Sequence, residues 1–370
     1  MTVFIQKSSH LGGRQSGLSL VELMIALALG LVLTLGVTQV FLGSSKTYRT
    51  TDAIGFLQEN LRFSMSRISR DVRMAGNQGC LVGEPTDYLV TTSTHYDSLL
   101  WAPGQAVIGW EAPSTGLGEK LTLSGFTYGS DAWATGSGET APSYITDNAL
   151  DGTDFIVITG SERADVVLQG NPSATAGTIS TQAATGVNAD TIILAVLDEC
   201  NGGDRFQNTN NDTASGFSGA GTPGTSTPGN ITTPDFNAYN DEASVYQYRS
   251  RGYFIKQGVD GGPALFRIPL TPGEGTDAVE LVSGVENMQI LYGVAGPQRQ
   301  VQKYVPASAV ADWDDVASVR IGLLMRSGER ILDEDNAETF NLVGTEIDPV
   351  DDRRARLVAT TTTGIRNRLE

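Results

Sequence analysis

The chain has 370 residues, a formal net charge of −17, two cysteines and two histidines. Such an excess of carboxylates argues against a phosphate-tracking surface, because nucleic-acid affinity rests mainly on Lys and Arg, so we expect no direct binding of nucleic acid. The sequence contains no Cys-x-x-Cys pair, and no glycine-rich phosphate loop stands between a predicted strand and helix. We therefore expect no metal, no other cofactor and no catalytic residue.

The first predicted element is an apolar run of 25 residues, Leu18–Leu42, whose only charge is Glu22. This length is sufficient to span a bilayer, which needs about 20 residues. The run follows a short basic leader that ends in Gly17, whereas an ordinary secretory signal is cut after its apolar part, so we expect the run to stay on the mature chain. Lys7 and Arg14 before the run predict a cytoplasmic leader and an exported remainder.

An amphipathic segment, residues 43–76, continues the same helix and is called the stem below. Apolar side chains recur at spacings of three and four along one face. We predict one helix from Leu18 to about Ala75, stopped by Gly76-Asn77, with its outer half packed on the rest of the chain. Asp71 can pair with Arg67 one turn earlier. The predicted apolar stripe consists of Ile54, Leu57, Leu61, Met65, Ile68 and Val72.

Residues 77–370, called the head below, hold 38 acidic and 17 basic side chains and change to short β-rich runs between Gly, Pro, Ser, Thr and Asn. The turn 259–263 predicts a hairpin, and residues 207–240 contain so few core-forming side chains that we expect a surface excursion or functional insertion. The predicted fold class is α+β, a long helix packed on an antiparallel sheet. Candidate strands are Lys120–Tyr128, Asp154–Thr159, Asp165–Gln169, Thr191–Leu197, Ser244–Arg249, Tyr253–Lys256, Ala264–Leu270, Gln289–Tyr292, Ala317–Arg326 and Arg356–Thr363.

The junction Gly17–Ala26 resembles the class III leader of type IV pilins and type II secretion pseudopilins. In that family a prepilin peptidase cuts after the glycine and methylates the new terminal amine. The resemblance implies cleavage between Gly17 and Leu18, N-methylation of Leu18, and a role for Glu22 as the fifth-position glutamate. Leu18 stands where the family prefers Phe or Met.

Two roles are open for Glu22. The sequence Ser19-Leu20-Val21-Glu22 fits a capping box, in which the carboxylate satisfies a free backbone donor at the start of the helix. An ionisable group in an apolar run is also a functional hypothesis in its own right. In that hypothesis Glu22 pairs with the terminal amine of Leu18, in its own or a neighbouring subunit, and sets the axial register of a filament. The two roles can coexist.

Further segments resemble PilW-type minor pilins of type IV pili: Arg67–Cys80, Gly284–Gly293, Val319–Leu324 and Thr361–Arg368. In structural terms, we interpret Gly284–Gly293, Val319–Leu324 and the first part of Thr361–Arg368 as core strands. The match covers the stem, both cysteines and the last ninety residues; residues 100–240 match weakly. The resemblance implies a structural protein that primes or caps pilus assembly and contacts other minor pilins, the major pilin and a tip adhesin.

The implied organisation is a leader at 1–17, a transmembrane and assembly segment at 18–42, the outer half of the helix at 43–76, and a periplasmic head at 77–370 with a flexible insertion at about 207–240. The protein would be anchored in the inner membrane before assembly and then lie in the pilus, at its tip. Two rivals remain: a J-type pseudopilin of type II secretion, and a pilin-anchored adhesin or binding module.

The two cysteines, Cys80 and Cys200, follow the predicted export anchor. We predict a periplasmic disulfide, which would close a loop of about 120 residues and contribute about 4–5 kcal/mol in the chain-entropy model. The alternative is two separate buried thiols.

Other candidate chemistry is weak. A Ser-His-Asp arrangement would have to use His95, whose neighbours form no recognised catalytic turn. Asn208–Asp212 and Asp333–Asn336 contain oxygen ligands suited to Ca²⁺, but neither has the order of an EF-hand. We interpret both as solvated loops.

Overall fold

A computed structural model describes residues 17–102, 104–170, 174–175, 177–220, 228–231, 234–273 and 277–369. The leader residues 1–16 lie outside the described residues, as do 221–227 and 232–233 of the predicted insertion. The chain divides into two units, Met1–Asp52 and Ala53–Glu370.

Helix α1, Leu20–Arg73, confirms the predicted long helix. Within the described residues it is the one helix that is long and apolar enough to cross a membrane. Glu22 lies in its first turn and Arg70 and Arg73 in its last, where they complement the helix dipole. The chain leaves the helix at Gly76, whose φ of 69° is a left-handed conformation that glycine adopts without strain.

Short strands make up most of the head. Their bounds, in chain order, are β1 Thr86–Asp87, β2 Val107–Trp110, β3 Lys120–Thr122, β4 Phe155–Arg163, β5 Ala174–Thr175, β6 Thr178–Ser180, β7 Ile192–Val196, β8 Gly203–Gln207, β9 Gly216–Ser218, β10 Ser244–Gln257, β11 Pro263–Pro269, β12 Val279–Ser283, β13 Val285–Ala295, β14 Val301–Val305, β15 Val316–Arg326, β16 Phe340–Leu342, β17 Thr345–Asp348 and β18 Arg356–Gly364. The short helices are α2 Ser98–Trp101, α3 Ser143–Thr146 and α4 Arg366–Leu369, with 3₁₀ turns at Ala307–Ala309 and Trp313–Asp315.

The largest sheet has eight strands and is organised by β10. Its order is β1-β8-β7-β10-β11-β12, and β4 joins β10 and β2. Strand β10 pairs with β4 along Tyr246–Tyr253, while β7 and β11 pair with successive parts of its length. All of these β10 pairings are antiparallel, as predicted. The β10–β11 pair confirms the predicted hairpin.

A second antiparallel sheet has the order β14-β13-β15-β18, and two smaller sheets have three strands each. The buried carboxylate of Asp154 links β13 to the segment after β2, because it accepts hydrogen bonds from the backbone N–H groups of Ile290 and Ala112, at 2.8 and 3.0 Å. Burial raises the pKa of Asp154 well above its ordinary value, although both N–H donors act in the opposite direction.

The main core joins the stem to both large sheets. From Leu57 to Val72 the predicted stripe is buried, and Ile54 is half-buried. The buried side chains of the stripe, from Leu57 to Val72, belong to one cluster with residues of β2, β4, β10, β13 and β15. The stem residues from Ala53 onward therefore pack on the head as predicted. A separate core contains Phe206, Phe217 and Tyr239.

Several strand predictions are wrong in extent. Asp165–Gln169 forms only an isolated bridge at Leu168, and the strand predicted over Lys120–Tyr128 ends at Thr122. The two strands predicted on either side of residue 251 are one continuous strand. The predicted strands do not include β1, β2, β5, β6, β8, β9, β12, β14, β16 and β17.

The segment 207–240 is more than a surface excursion. Phe217 and Tyr239 are fully buried, and Gly216–Ser218 pairs with β6. Asn208 is also buried, so the solvated-loop interpretation is wrong for it; its Oδ1 accepts from the N–H groups of Asn210 and Ser218, each at 3.2 Å. This part of the segment is held by side-chain to backbone hydrogen bonds as well as by apolar packing.

Candidate functional site

The amino-terminal end of α1 carries the predicted capping box. The backbone N–H of Ser19 donates to Glu22 Oε2 at 3.0 Å, and the N–H of Glu22 donates to Ser19 Oγ at 3.1 Å. This reciprocal pair satisfies two backbone donors that have no partner within the helix. Gly17 and Leu18 are exposed beside it. Pairing of Glu22 with a Leu18 amine stays a prediction, because that nitrogen is an amide until the bond to Gly17 is cut.

The helix surface after this turn is apolar. Its large side chains, among them Leu31 and Leu33, are more than half exposed. The hydroxyl groups of Thr34 and Thr38 donate to the carbonyls of Gly30 and Thr34, four residues earlier, at 2.7 and 2.8 Å. These hydroxyls are thus satisfied within the helix. The arrangement suits a lipid environment or contact with other apolar helices.

The end of the stem is attached to the edge of β4. The N–H of Gly76 donates to the Thr159 carbonyl at 2.8 Å, and the N–H of Ser161 donates to the Asn77 carbonyl at 2.9 Å. Residues 76–77 thereby extend the edge that β2 occupies along Phe155–Ile158. From the far end of the chain, the Asn367 side chain donates to the Ala75 carbonyl at 3.0 Å.

A disulfide between Cys80 and Cys200 confirms the predicted pairing. It joins the segment after the stem to the turn between β7 and β8, with the two Cα atoms 5.3 Å apart. The N–H of Val82 donates to the Cys200 carbonyl at 2.9 Å, next to the bridge. The stem end is therefore connected to the head by backbone hydrogen bonds, by side-chain hydrogen bonds from Asn77, Ser161 and Asn367, and by a covalent link.

Asp71 is used differently from the prediction. Its Oδ2 accepts the hydroxyl of Tyr253 at 2.5 Å and lies 3.8 Å from a guanidinium nitrogen of Arg251, instead of pairing with Arg67. Burial and the nearby charge of Asp71 both raise the pKa of Tyr253, so its hydroxyl remains a donor. The stem is thus anchored to β10 by a polar contact as well as by its apolar stripe.

A buried ion pair that the sequence did not reveal joins β13 to β18. Arg356 donates through two nitrogens to Glu286, at 2.7 and 3.1 Å, and both side chains are fully buried. Asp352 accepts a third bond at 3.0 Å. Glu286 and Arg356 both lie in segments predicted as core strands, but nothing in their spacing shows that two strands separated by β15 bring them together.

The candidate chemical groups remain apart. His95 is exposed, and no group of three or more His, Cys, Asp or Glu side chains within the described residues is placed to hold a metal ion. Asp333–Asp335 are exposed, in agreement with a solvated loop. The features with clear geometry are the helix start, the apolar segment and the attached stem end.

Comparison with known proteins adds two family matches. The model of the prokaryotic N-terminal methylation motif matches residues 12–38, and the model described as type IV pilus-assembly protein W matches residues 252–367. A search of curated proteins found no match. Among solved structures, the type IV-like pilin TTHA1219 from Thermus thermophilus is 13% identical with a TM-score of 0.31, over 85% of this chain and 96% of that one.

An apolar helix that matches the methylation motif, continued by a stem and a β-rich head, is the organisation expected of a prepilin-like protein. The second match covers the second half of β10 and all later strands. Together the two matches confirm the resemblance to PilW-type minor pilins. Both matched regions include segments on which the sequence resemblance rests.

Proposed function

We propose that this chain is a structural minor pilin that primes or caps the assembly of a type IV pilus. One observation carries the proposal. A segment that matches the methylation motif, at 12–38, is joined through one continuous helix to a head that matches the pilus-assembly family. The role is structural, and the work of assembly is done by a separate ATPase. The family matches support this role.

The mature protein begins at Leu18 after a prepilin peptidase has cut the Gly17–Leu18 bond. Loss of residues 1–17 removes Lys7 and Arg14 and changes the formal net charge from −17 to −19. The segment 18–42 is held in the inner membrane, with the head in the periplasm, until the subunit enters the pilus near its tip. A fully exposed apolar helix surface and a head closed by a disulfide support this location.

Glu22 sets the axial register in this proposal. Its carboxylate lies one turn from Leu18, and cleavage creates a charged amine there. In an apolar surrounding, an unpaired carboxylate is costly, so pairing with an amine of its own or a neighbouring subunit favours one axial position over others. The capping bonds to Ser19 fix the carboxylate at the helix start, which supports the pairing geometry.

Other minor pilins, the major pilin and a tip adhesin are the proposed partners. They would contact segment 18–42 through helix packing and the head through its surface. No direct contact with nucleic acid is proposed, because the head carries 38 acidic against 17 basic side chains.

Mass spectrometry of the protein purified from its native host tests the proposal. We expect a mature chain that starts at Leu18 with an N-methylated amine, because the basic leader ends at Gly17. An intact Met1, or a cut after residue 40, would contradict the minor-pilin assignment.

Deletion of the gene separates the rival functions. Loss of surface pili and of twitching supports the minor pilin. Loss of exoprotein secretion with normal pili would instead assign the chain to the J-type pseudopilins. Normal pili and secretion with poor adhesion would identify a pilin-anchored binding module.

A further inference from the structure

The stem end and two strands enclose a polar groove, called the stem-end groove below. It has a volume of about 540 Å³ and is lined by residues of the segment 70–77, by Ile158–Arg163 of β4 and by three residues of β10. Gly160 allows the stem to lie close to β4, because a Cβ there would be 2.9 Å from the Met74 carbonyl oxygen. The groove is therefore formed by the close approach of the stem end to β4.

The charges in the groove are unbalanced. Four of the lining side chains are arginines, and only Asp71 and Glu162 are acidic. Both carboxylates are already engaged. Glu162 lies 2.8 Å from Arg251 and 3.6 Å from Arg249, and the hydrogen bond from Arg251 lowers its pKa. Asp71 accepts the hydroxyl of Tyr253.

Arg70 and Arg163 supply the excess positive charge. Both are exposed, and neither forms an ion pair with any residue that the structure describes. They lie on different elements, the last turn of α1 and the last residue of β4. Two guanidinium groups with free donors thus border one groove, one on the stem and one on a head in which acidic side chains outnumber basic ones.

We propose that the stem-end groove binds a short segment of a neighbouring pilus subunit that carries two carboxylates. This proposal rests on the proposed function, because it assumes that the partner is another subunit of the same pilus. Guanidinium groups match carboxylates in planar, two-bond geometry. Met74 and Tyr246 add apolar surface to the lining, which fits a peptide better than an inorganic anion.

The same charges argue against a nucleic-acid ligand. A duplex would present many phosphates to the whole head, where acidic side chains outnumber basic ones by 38 to 17. A segment with two carboxylates instead matches the two arginines that lack an ion pair. Acidic protein is therefore the class of ligand that the groove selects.

Binding is tested with the full mature chain in detergent micelles. The probe is a fluorescein-labelled peptide, Gly-Glu-Leu-Glu-Gly-Ser, and its analogue with both glutamates replaced by glutamine. We expect the double variant Arg70→Gln, Arg163→Gln to weaken peptide binding about three- to tenfold, the range expected for two partly exposed ion pairs. The matched control is Arg330→Gln, Arg353→Gln, which removes two charges outside the groove and should change binding less than twofold.

Three results would overturn the proposal: equal weakening by both double variants, equal binding of the glutamine analogue, or tighter binding of a 20-base-pair DNA duplex than of the peptide. Removal of Arg70 and Arg163 leaves no carboxylate without its partner, and removal of Arg353 breaks only an exposed ion pair with Asp335 at 3.7 Å, so both double variants should fold as the wild type does. Near-ultraviolet circular dichroism checks this.

The partner is identified in the native host by a photo-crosslinking amino acid at Met74, which lines the groove and is 46% exposed. We expect crosslinks to a segment of another pilin-like subunit that contains at least two Asp or Glu side chains, and their loss in the Arg70→Gln, Arg163→Gln variant. Crosslinks to other segments, or none, would refute the groove as an interface. A mature terminus at Leu18 in the same cells shows whether processing as a prepilin is intact, so failure of the groove and failure of the proposed function can be told apart.

Discussion

The two parts of α1 share a backbone conformation but differ in the fate of their apolar side chains. Between Leu18 and Leu42 apolar groups cover all faces of the helix and are exposed, with Leu31 at 63%. Between Ala53 and Arg73 most of them form one buried stripe, in which Leu57 and Ile68 are fully buried, while Phe56 and Phe63 are exposed. Among the described residues of its own unit, the first part has no packing partner, whereas the second completes the core of the head.

This difference separates two tasks within one element. A stripe on one face is buried by the chain's own sheets, so the free energy gained by removing it from water contributes to folding of the head. An apolar surface on all faces can be covered only by lipid or by other helices. The free energy gained by covering it is therefore available for insertion and assembly. Mutations in the two parts should therefore affect different measurements.

The largest effect should come from the disulfide, which holds the segment after the stem to the head. It closes a loop with a sequence separation of 120 residues. The double variant Cys80→Ala, Cys200→Ala should lower the free energy of unfolding by about 4–5 kcal/mol in the chain-entropy model. Guanidinium unfolding of the mature protein in detergent, followed by tryptophan fluorescence, measures it. Alkylation of both thiols in unreduced, unfolded wild type would contradict the pairing.

A matched pair of leucines tests the comparison itself. Leu57→Ala removes a fully buried side chain from the main core and should lower the free energy of unfolding of the head by about 3 kcal/mol. Leu31→Ala, on the exposed part of the same helix, should leave head stability unchanged. The same unfolding assay measures both variants. Equal losses would show that the two parts of α1 do not have separate tasks.

The parts predicted well from sequence are those whose pattern is local. The helix and its stripe follow from the spacing of apolar residues, which is set by 3.6 residues per turn. Strand β7, with five consecutive apolar residues, Ile192–Val196, is equally clear. The Cys80–Cys200 pairing needed only the count of cysteines and the export anchor before them.

The missed elements depend on distant partners. Strand β8, with the sequence Gly-Asp-Arg-Phe-Gln, looks polar but is buried throughout. Asp204 accepts the Tyr239 hydroxyl at 2.7 Å, and Arg205 pairs with Asp87 at 2.5 Å, so its charges are satisfied by residues far away in the sequence. The stem-end groove was missed for the same reason, because its arginines come from three separate elements. No local pattern reveals such contacts.

A smaller effect should follow from the polar contact between stem and head. Tyr253→Phe removes the hydroxyl that donates to Asp71 and should lower the free energy of unfolding by about 1.5 kcal/mol, the lower end for a hydrogen bond to a charged group. Tyr48→Phe is the matched control, because Tyr48 lies on the same helix as Asp71 and is 72% exposed. Guanidinium unfolding distinguishes them. A loss as large for Tyr48→Phe would mean that the contact with Asp71 contributes little.

The smallest change in stability, with the largest expected consequence for assembly, concerns Glu22. Glu22→Ala removes the carboxylate that accepts from Ser19 and should weaken the helix start by about 1 kcal/mol. Membrane insertion should be intact, because the segment becomes more apolar. If the register mechanism holds, the variant should nevertheless enter pili poorly.

Glu22→Gln separates the two roles of this side chain. The amide keeps the length and an oxygen that can accept from the Ser19 N–H, so the capping box and the stability of the helix start should be nearly unchanged. It removes the charge that would pair with the terminal amine of Leu18. Counts of surface pili and recovery of complexes with other minor pilins should therefore fall as they do for Glu22→Ala. Assembly of Glu22→Gln at the wild-type level would show that capping alone accounts for the glutamate, and the register mechanism would have to be abandoned while the membrane anchor stands.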